Sequence, residues 1–266
     1  MALYQRLSPA RSEGPLKRPA VKQLKIKYQL LAASEVPSWY AHNPFLRTGY
    51  RPVNGSVRLC LNSLRYTHNE TVNIYSHLIP AALFLASNGF LHQYFHNHYP
   101  TASLADQLAV HFYLTTSVVC FGVSSIYHTL ACHSEAYSDL WARLDYAGII
   151  LQIMGSFVSG IYVSFYHKPD LQKLYWSMTG ILGLISTIIV LSPQFQHISL
   201  HRHLRLCTFI SLGLSGLLPI IHAACIYPFA QLNQQAGLGW YLVEGVVLGI
   251  GVVVYAVSGS VHKQKV

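Results

Sequence analysis

A chain of 266 residues in which 52% of side chains are hydrophobic and only 10% charged is too apolar for an ordinary soluble domain. Its formal charge of +9 would suit a nucleic-acid partner, but no aromatic-and-basic binding module accompanies it, and eleven of the eighteen Lys and Arg residues precede the first apolar segment. No Asp, Glu, Lys or Arg falls inside the intervals Glu70–Asp106, Asp106–Glu135, Asp145–Lys168, Lys173–Arg202 and Arg205–Glu244. Each interval holds the roughly 20 apolar residues that a membrane-spanning helix requires, so the sequence predicts a polytopic membrane protein.

Residues 1–35 read as a basic cytosolic tail. Its first twenty residues show no periodicity and are expected to be disordered. Val21, Leu24, Tyr28 and Leu31 alternate with Lys22, Lys25 and Lys27 in the pattern of an amphipathic helix on a membrane surface, although a solvated tail fits equally well. Residues 36–257 form the transmembrane helical domain, opening with the ordered loop PSWYAHNPFLRTGYRP. THNETVNIYSH then leads into the first span. Thr67 or Asn69 would cap that helix with Glu70 favoured by its dipole, or Glu70, Asn73 and His77 would line the mouth of a cavity.

Six spans are expected, over residues 72–94, 108–131, 144–166, 174–191, 206–227 and 238–257, followed by a short basic cytosolic tail at 258–266. Pro80 and Pro219 should kink the first and fifth. The spacings Gly155-x3-Ser159, Ser156-x3-Gly160 and Gly245-x3-Gly249 permit close helix approach. The five cysteines form no CxxC and read as reduced core residues. With the N-terminus inside, sixteen basic residues fall on the cytosolic side, and only Lys168 and Lys173 fall outside. That split predicts a cytosolic N-terminus.

The chemistry-bearing stretch is SSIYHTLACHSEAYSDLWARLDYAG, residues 124–148. Ser124 and His128, four apart, share one helix face. If CHSEAYSD is the connection of a helical hairpin, His128 and Asp145 lie roughly 6–9 Å inside their helix ends, at matching depth. A carboxylate inside a bilayer is a functional candidate by default; pairing with Arg143 is the plainer reading of Asp145. A lone histidine is more often a core residue, and a lone serine a packing residue. Together with Asp145, however, His128 could hold zinc and orient its bound water, with the carboxylate taking a proton. Zinc needs three protein ligands and this hairpin supplies one. His197, His201 and His203 have chelating spacing but read better as a basic loop, while His222, His133 and the group His92, His96 and His98 are poorly placed.

Three motifs in order, THNETVNIYSHL, S-x3-H-T-L-A-C-H-S-E and LDYAGIILQIMGSF, resemble the progestin and adiponectin receptor family, which includes the haemolysin III-like proteins; the likeness covers roughly residues 36–257. The resemblance implies an all-α bundle of seven spans with a cytosolic N-terminus and a zinc near the cytosolic face. By resemblance His128 is a metal ligand, Asp145 contacts the zinc-bound water, and Ser124 belongs to the same motif; Ser124 and Asp145 are the catalytic candidates. The remaining ligands implied are two histidines of an H-x3-H on a seventh helix.

Here GVVVYAVSG is followed by SVHKQKV, so six of the family's seven helices are present and the chain reads as truncated before the seventh. Zinc occupancy is accordingly expected to be weak and hydrolysis absent. Three functions remain open. One is a receptor-like protein linked to lipid and zinc homeostasis, with a ceramide-like lipid or an extracellular protein or steroid as ligand. The second is a zinc-dependent lipid amide hydrolase, and the third a metal-free regulator that pairs with intact relatives. Membrane lipids are expected partners, nucleic acid is not, and homo- or hetero-oligomers are compatible. The setting is the plasma membrane or an endomembrane.

Overall fold

The computed structural model describes residues 29–41, 43, 45–192 and 201–263. The disordered stretch and most of the amphipathic helix expected at the N-terminus therefore lie outside the described residues. Leu31, assigned to that helix, is instead in a strand. A small cap precedes the spans: β1 (Leu31–Ala32) pairs antiparallel with β2 (Thr48–Tyr50), Leu31 opposite Tyr50. A 3-10 turn at Ala33–Glu35, helix α1 (Val57–Asn62) and a second 3-10 turn at Ser63–Arg65 complete it. The first described residues thus lie inside the expected tail. Tyr40, Tyr50, Cys60, Leu130, Ala131 and Cys132 form the core beneath the cap, joining it to the end of a long helix.

The long helices are α2 (Thr71–His98), α3 (Leu104–Leu130), α4 (Glu135–Ser164) and α5 (Pro169–Leu191). They are followed by α6 (His201–Ser215), α7 (Leu217–Ile226), α8 (Phe229–Ala236) and α9 (Leu238–Lys263). Among the described residues five segments are long and apolar enough to cross a membrane, the fifth running over His203–Ile226, across the junction of α6 and α7. Residues 229–236 and 238–254, bent by 84° at Gly237, make a sixth if taken together. The architecture is the expected all-α polytopic bundle, and α9 carries on past the expected end at 257.

Local chemistry sets several boundaries. Ser103 and Asp106 form a reciprocal capping box at the start of α3, and Asp106 also accepts hydrogen bonds from Tyr162 and Tyr166 near the end of α4. Pro169 occupies the first turn of α5, where its missing N–H costs nothing. The α6–α7 break falls at Gly216, three residues before Pro219, whose ring cannot coexist with a regular preceding turn.

Consecutive helices pack on one another, α2 on α3, α3 on α4, α4 on α5 and α5 on α6, as short connections require. Small residues set the closest approach. A Cβ at Gly155 would overlap the Thr116 hydroxyl and lie 2.8 Å from the Thr116 Cβ, and one at Gly148 would lie 3.3 Å from the Cys120 Cα. Ser159 Oγ donates to the Ala109 carbonyl across the same interface, at 2.6 Å. Gly155→Ala should therefore lower stability by about 1–3 kcal/mol through overpacking. Thermal unfolding in detergent would measure it, with partial recovery in Gly155→Ala/Thr116→Gly. Gly249→Ala, where nothing lies within 4 Å, is the control and should change little. An unchanged midpoint for Gly155→Ala would remove the glycine from this role.

Candidate functional site

The site is built where α2 begins and α3 ends. Residues 67–71 form a tight entry to α2. The His68 N–H donates to Thr71 Oγ1 at 2.8 Å, the Asn69 N–H to the Gly49 carbonyl at 2.8 Å, and the Glu70 N–H to His68 Nδ1 at 3.1 Å. Gly49 has φ +88°, a left-handed conformation that suits glycine. Glu70 stands at the N-cap, yet its carboxylate makes no capping bond. It turns instead towards α3. Its Oε1 accepts from Asn69 Nδ2 at 3.0 Å, and its Oε2 accepts from Asn73 Nδ2 at 2.7 Å and pairs with His128 Nδ1 at 2.9 Å. Both members of the pair are mostly buried, with side-chain exposures of 19% for His128 and 16% for Glu70.

A carboxylate only accepts, so Nδ1 of His128 carries the hydrogen. Burial alone would raise the Glu70 carboxyl, but hydrogen bonds from His128 and Asn73, aided by the charges of His128 and Arg51, hold it below its usual range.

Two turns along α2, His77 Nδ1 shares a 2.7 Å hydrogen bond with the buried Ser124 hydroxyl of α3. The His77 and His128 rings stand edge to face, their centroids 6.0 Å apart. From α4, Asp145 lies beside the Ser124 hydroxyl and within electrostatic reach of His128 and His77. Three helices thus bring together Glu70, His77, Ser124, His128 and Asp145.

The expected matching depth of His128 and Asp145 needs correction. His128 is two residues from the end of α3, about 3 Å, whereas Asp145 is ten residues into α4, about 15 Å. EAYSD, expected in the connection, forms the first turns of α4 instead, because Ser134 already ends the link. Asp145 is therefore level with Ser124, one turn before the Gly148–Cys120 contact, and Glu70 rather than Asp145 meets His128. Arg143 does not pair with Asp145; its Nε donates to the Asp139 carbonyl at 3.3 Å.

The end of α3 is held by the cap. Arg51, 1% exposed, donates through Nη1 to Ser63 Oγ at 2.8 Å and the Thr129 carbonyl at 2.9 Å, and through Nη2 to the His128 carbonyl at 2.7 Å. The Asn54 and Gly55 N–H groups donate to the Cys132 and His133 carbonyls at 3.3 and 2.9 Å. The Arg51 bonds satisfy carbonyls that the end of α3 leaves without partners, and the two backbone bonds fix the chain just past it. In the sequence Arg51 reads only as orienting charge, and its position in the GYRP loop is the local signal of a structural role.

A family zinc would need ligands beyond this set. Among the described residues no three His, Cys, Asp or Glu side chains converge as a metal-binding group. His222 bonds with the Tyr175 hydroxyl at 2.8 Å, and His92 with Gln107 at 3.3 Å. His201 and His203 fall in the first turn of α6, and not in the basic loop expected there, while His197 is outside the described residues. The described residues do not fit a three-ligand zinc.

The Haemolysin-III related family matches residues 65–263. An adiponectin receptor protein of Drosophila melanogaster is 36% identical over 83% of this chain and 49% of its own length. Progestin and adipoQ receptor-like protein 1 of Caenorhabditis elegans is 32% identical over 88% of this chain and 53% of its own. An ADIPOR-like receptor of Saccharomyces cerevisiae is 33% identical over 88% and 73%. The chain thus spans about half the length of the fly and nematode relatives.

Proposed function

Because this chain belongs to the haemolysin-III related family, whose relatives here include adiponectin and progestin receptor-like proteins, we propose that it is a receptor-like membrane protein acting in lipid and zinc homeostasis. The cluster of Glu70, His77, Ser124, His128 and Asp145 is its responsive centre. The observation that carries this reading is the Glu70–His128 pair. A carboxylate and an imidazole are held together at a helix junction, where desolvation is costly unless each has a partner. A ceramide-like lipid, whose amide and hydroxyls match these donors and acceptors, is the proposed ligand.

In the cluster, Glu70 fixes the proton of His128 on Nδ1 and Asp145 orients the Ser124 hydroxyl. Lipid amide hydrolysis is the second reading, favoured by the meeting of Asp145 with Ser124 beside two imidazoles.

The test uses yeast lacking its own ADIPOR-like receptor, expressing this chain, His128→Ala or Asp145→Asn at equal membrane abundance. Zinc-responsive transcription and cellular ceramide should shift with the intact chain and return to baseline with both variants. Variants that act like the intact chain would overturn the role of the cluster. Release of fatty acid from a short-chain ceramide by the purified chain would favour the hydrolase.

We also propose weak metal retention. His128 is the single ligand the family motif assigns here, and zinc sites use three or four. The purified chain should keep well below one zinc per molecule after mild chelation, measured by elemental mass spectrometry. Stoichiometric zinc that is lost in His128→Ala would show that further ligands lie outside the described residues.

The sixteen-to-two split of basic residues supports a cytosolic N-terminus. Asn54-Gly-Ser56 and Asn69-Glu-Thr71 would then escape glycosylation. A glycosidase-sensitive mass shift abolished by Asn54→Gln or Asn69→Gln would reverse the orientation.

A further inference from the structure

Where α1 meets the end of α3, two cysteines 72 positions apart face each other. Cys60 and Cys132 have no solvent exposure, and their sulfurs are 3.5 Å apart. Neither is bonded to another cysteine. Asn54 bridges the pair, its Nδ2 donating to Cys132 Sγ at 3.9 Å and its Oδ1 accepting from the Cys60 thiol at 3.7 Å. That arrangement treats the two sulfurs differently. Cys132 Sγ accepts from Asn54 and stands near the Arg51 charge, and the single Cys60 proton is shared between Asn54 Oδ1 and Cys132 Sγ.

The acidities follow the geometry. A hydrogen bond from Cys60, opposed by burial and aided by Arg51, holds the Cys132 thiol below its ordinary value. The same hydrogen bond and burial push Cys60 up. A thiolate is the reactive form of cysteine, so the two residues have distinct chemical parts available. A disulfide needs the sulfurs at about 2.05 Å, so closure by about 1.5 Å completes the bond. The loop 52–56 lies against the pair through Asn54, and its Val53 and Gly55 are exposed. Local opening of so short a segment admits a small oxidant.

We propose that Cys60 and Cys132 form a reversible disulfide, with Cys132 the sulfur oxidised first by a small hydroperoxide and Cys60 the sulfur that resolves it. The Cys132 thiolate attacks one peroxide oxygen; the O–O bond breaks, and the departing hydroxide takes a proton to leave as water. Cys132 is then a sulfenic acid. Cys60 sulfur attacks it, the S–O bond breaks, and hydroxide leaves as a second water with the Cys60 proton. Two thiols have lost two electrons and hydrogen peroxide has gained them. The product staples α1 to the chain just past α3, four residues after His128. With the N-terminus cytosolic, as proposed above, thiol reductants return the pair to the reduced state.

The experiment treats the full chain in membranes with hydrogen peroxide, then blocks free thiols with one alkylating label and, after reduction, the released thiols with a second. Mass spectrometry should show Cys60 and Cys132 acquiring the second label together, at a dose that leaves Cys120 with the first. A peptide linking Cys60 to Cys132 should appear in monomeric protein and vanish with dithiothreitol. In Cys60→Ser a dimedone adduct should accumulate on Cys132; in Cys132→Ser none should form on Cys60. The wild-type labelling decides the matter even if a variant folds poorly. Absence of the linked peptide, a linked peptide confined to dimers, or oxidised Cys132 beside an unmodified Cys60 would overturn the proposal.

Discussion

Replacing Arg51 with methionine is expected to destabilise the protein by about 3 kcal/mol or more and to loosen the end of α3. The guanidinium is buried and spans Ser63 Oγ and the carbonyls of His128 and Thr129. Methionine keeps the volume but leaves two buried carbonyls without donors, each costing about 1–3 kcal/mol. Arg51→Lys should recover only part of the loss, because a single ammonium cannot reproduce the planar fork. Thermal unfolding in detergent is the measurement, with exposed Arg58 as the control position. The Glu70–His128 pair should suffer too, since His128 loses the anchor on its carbonyl. Equal midpoints for Arg51→Met and Arg58→Met would show that the clamp contributes nothing.

Stability should also fall as pH drops from about 6.5 towards 4, and His68 should account for a large share of the fall. Burial, reinforced by the positive charge of Arg51 and opposed by Glu70, lowers the His68 imidazole from 6.5 to about 4. Its Nδ1 accepts the Glu70 N–H, so the neutral ring carries its proton on Nε2. In the unfolded chain the ring takes up a proton below about 6.5, whereas the folded chain refuses it until about 4. The unfolded state therefore binds more protons in that window, and stability present above it is lost as pH falls through it. The full difference amounts to about 3 kcal/mol. Asparagine at 68 retains an acceptor near Nδ1 and cannot titrate. His68→Asn should flatten the unfolding midpoint between pH 6.5 and 4 relative to the unaltered chain. Parallel pH profiles would remove His68 from this role.

Both predictions rest on cap residues whose importance was hard to read from the sequence. GYRP and THNE are polar, punctuated segments, and their loop character is evident from composition. Which carbonyl Arg51 reaches, 78 positions away at Thr129, is set by how the cap folds back over α3. The same limit affected Glu70, for which a helix cap and a cavity-lining role stood as equal alternatives. Its carboxylate leaves the backbone N–H groups of α2 for the side chains of Asn69, Asn73 and His128, and only the approach of α3 supplies the last of these.

Asp145 shows how a local error propagates. Polar EAYSD resembles a loop by composition, but with Ser134 just ahead of it the segment is helical, and four extra residues carry Asp145 about 6 Å further along α4. The residue it stands beside consequently changes from His128 to Ser124.

The sequence by itself determined the parts that depend on composition and period. Those are the membrane setting, the long apolar helices, and the motifs carrying Ser124, His128 and Asp145. Long uncharged runs permit little else, because a backbone in lipid must satisfy its own hydrogen bonds. Tertiary structure decided which of those residues meet: Glu70 with His128, His77 and Asp145 with Ser124, Arg51 with the end of α3, and Cys60 with Cys132. These contacts join residues 21 to 78 positions apart. They depend on helix offset and on the fold of the cap, set by close contacts such as Gly155 on Thr116, and neither hydropathy nor periodicity encodes such an offset.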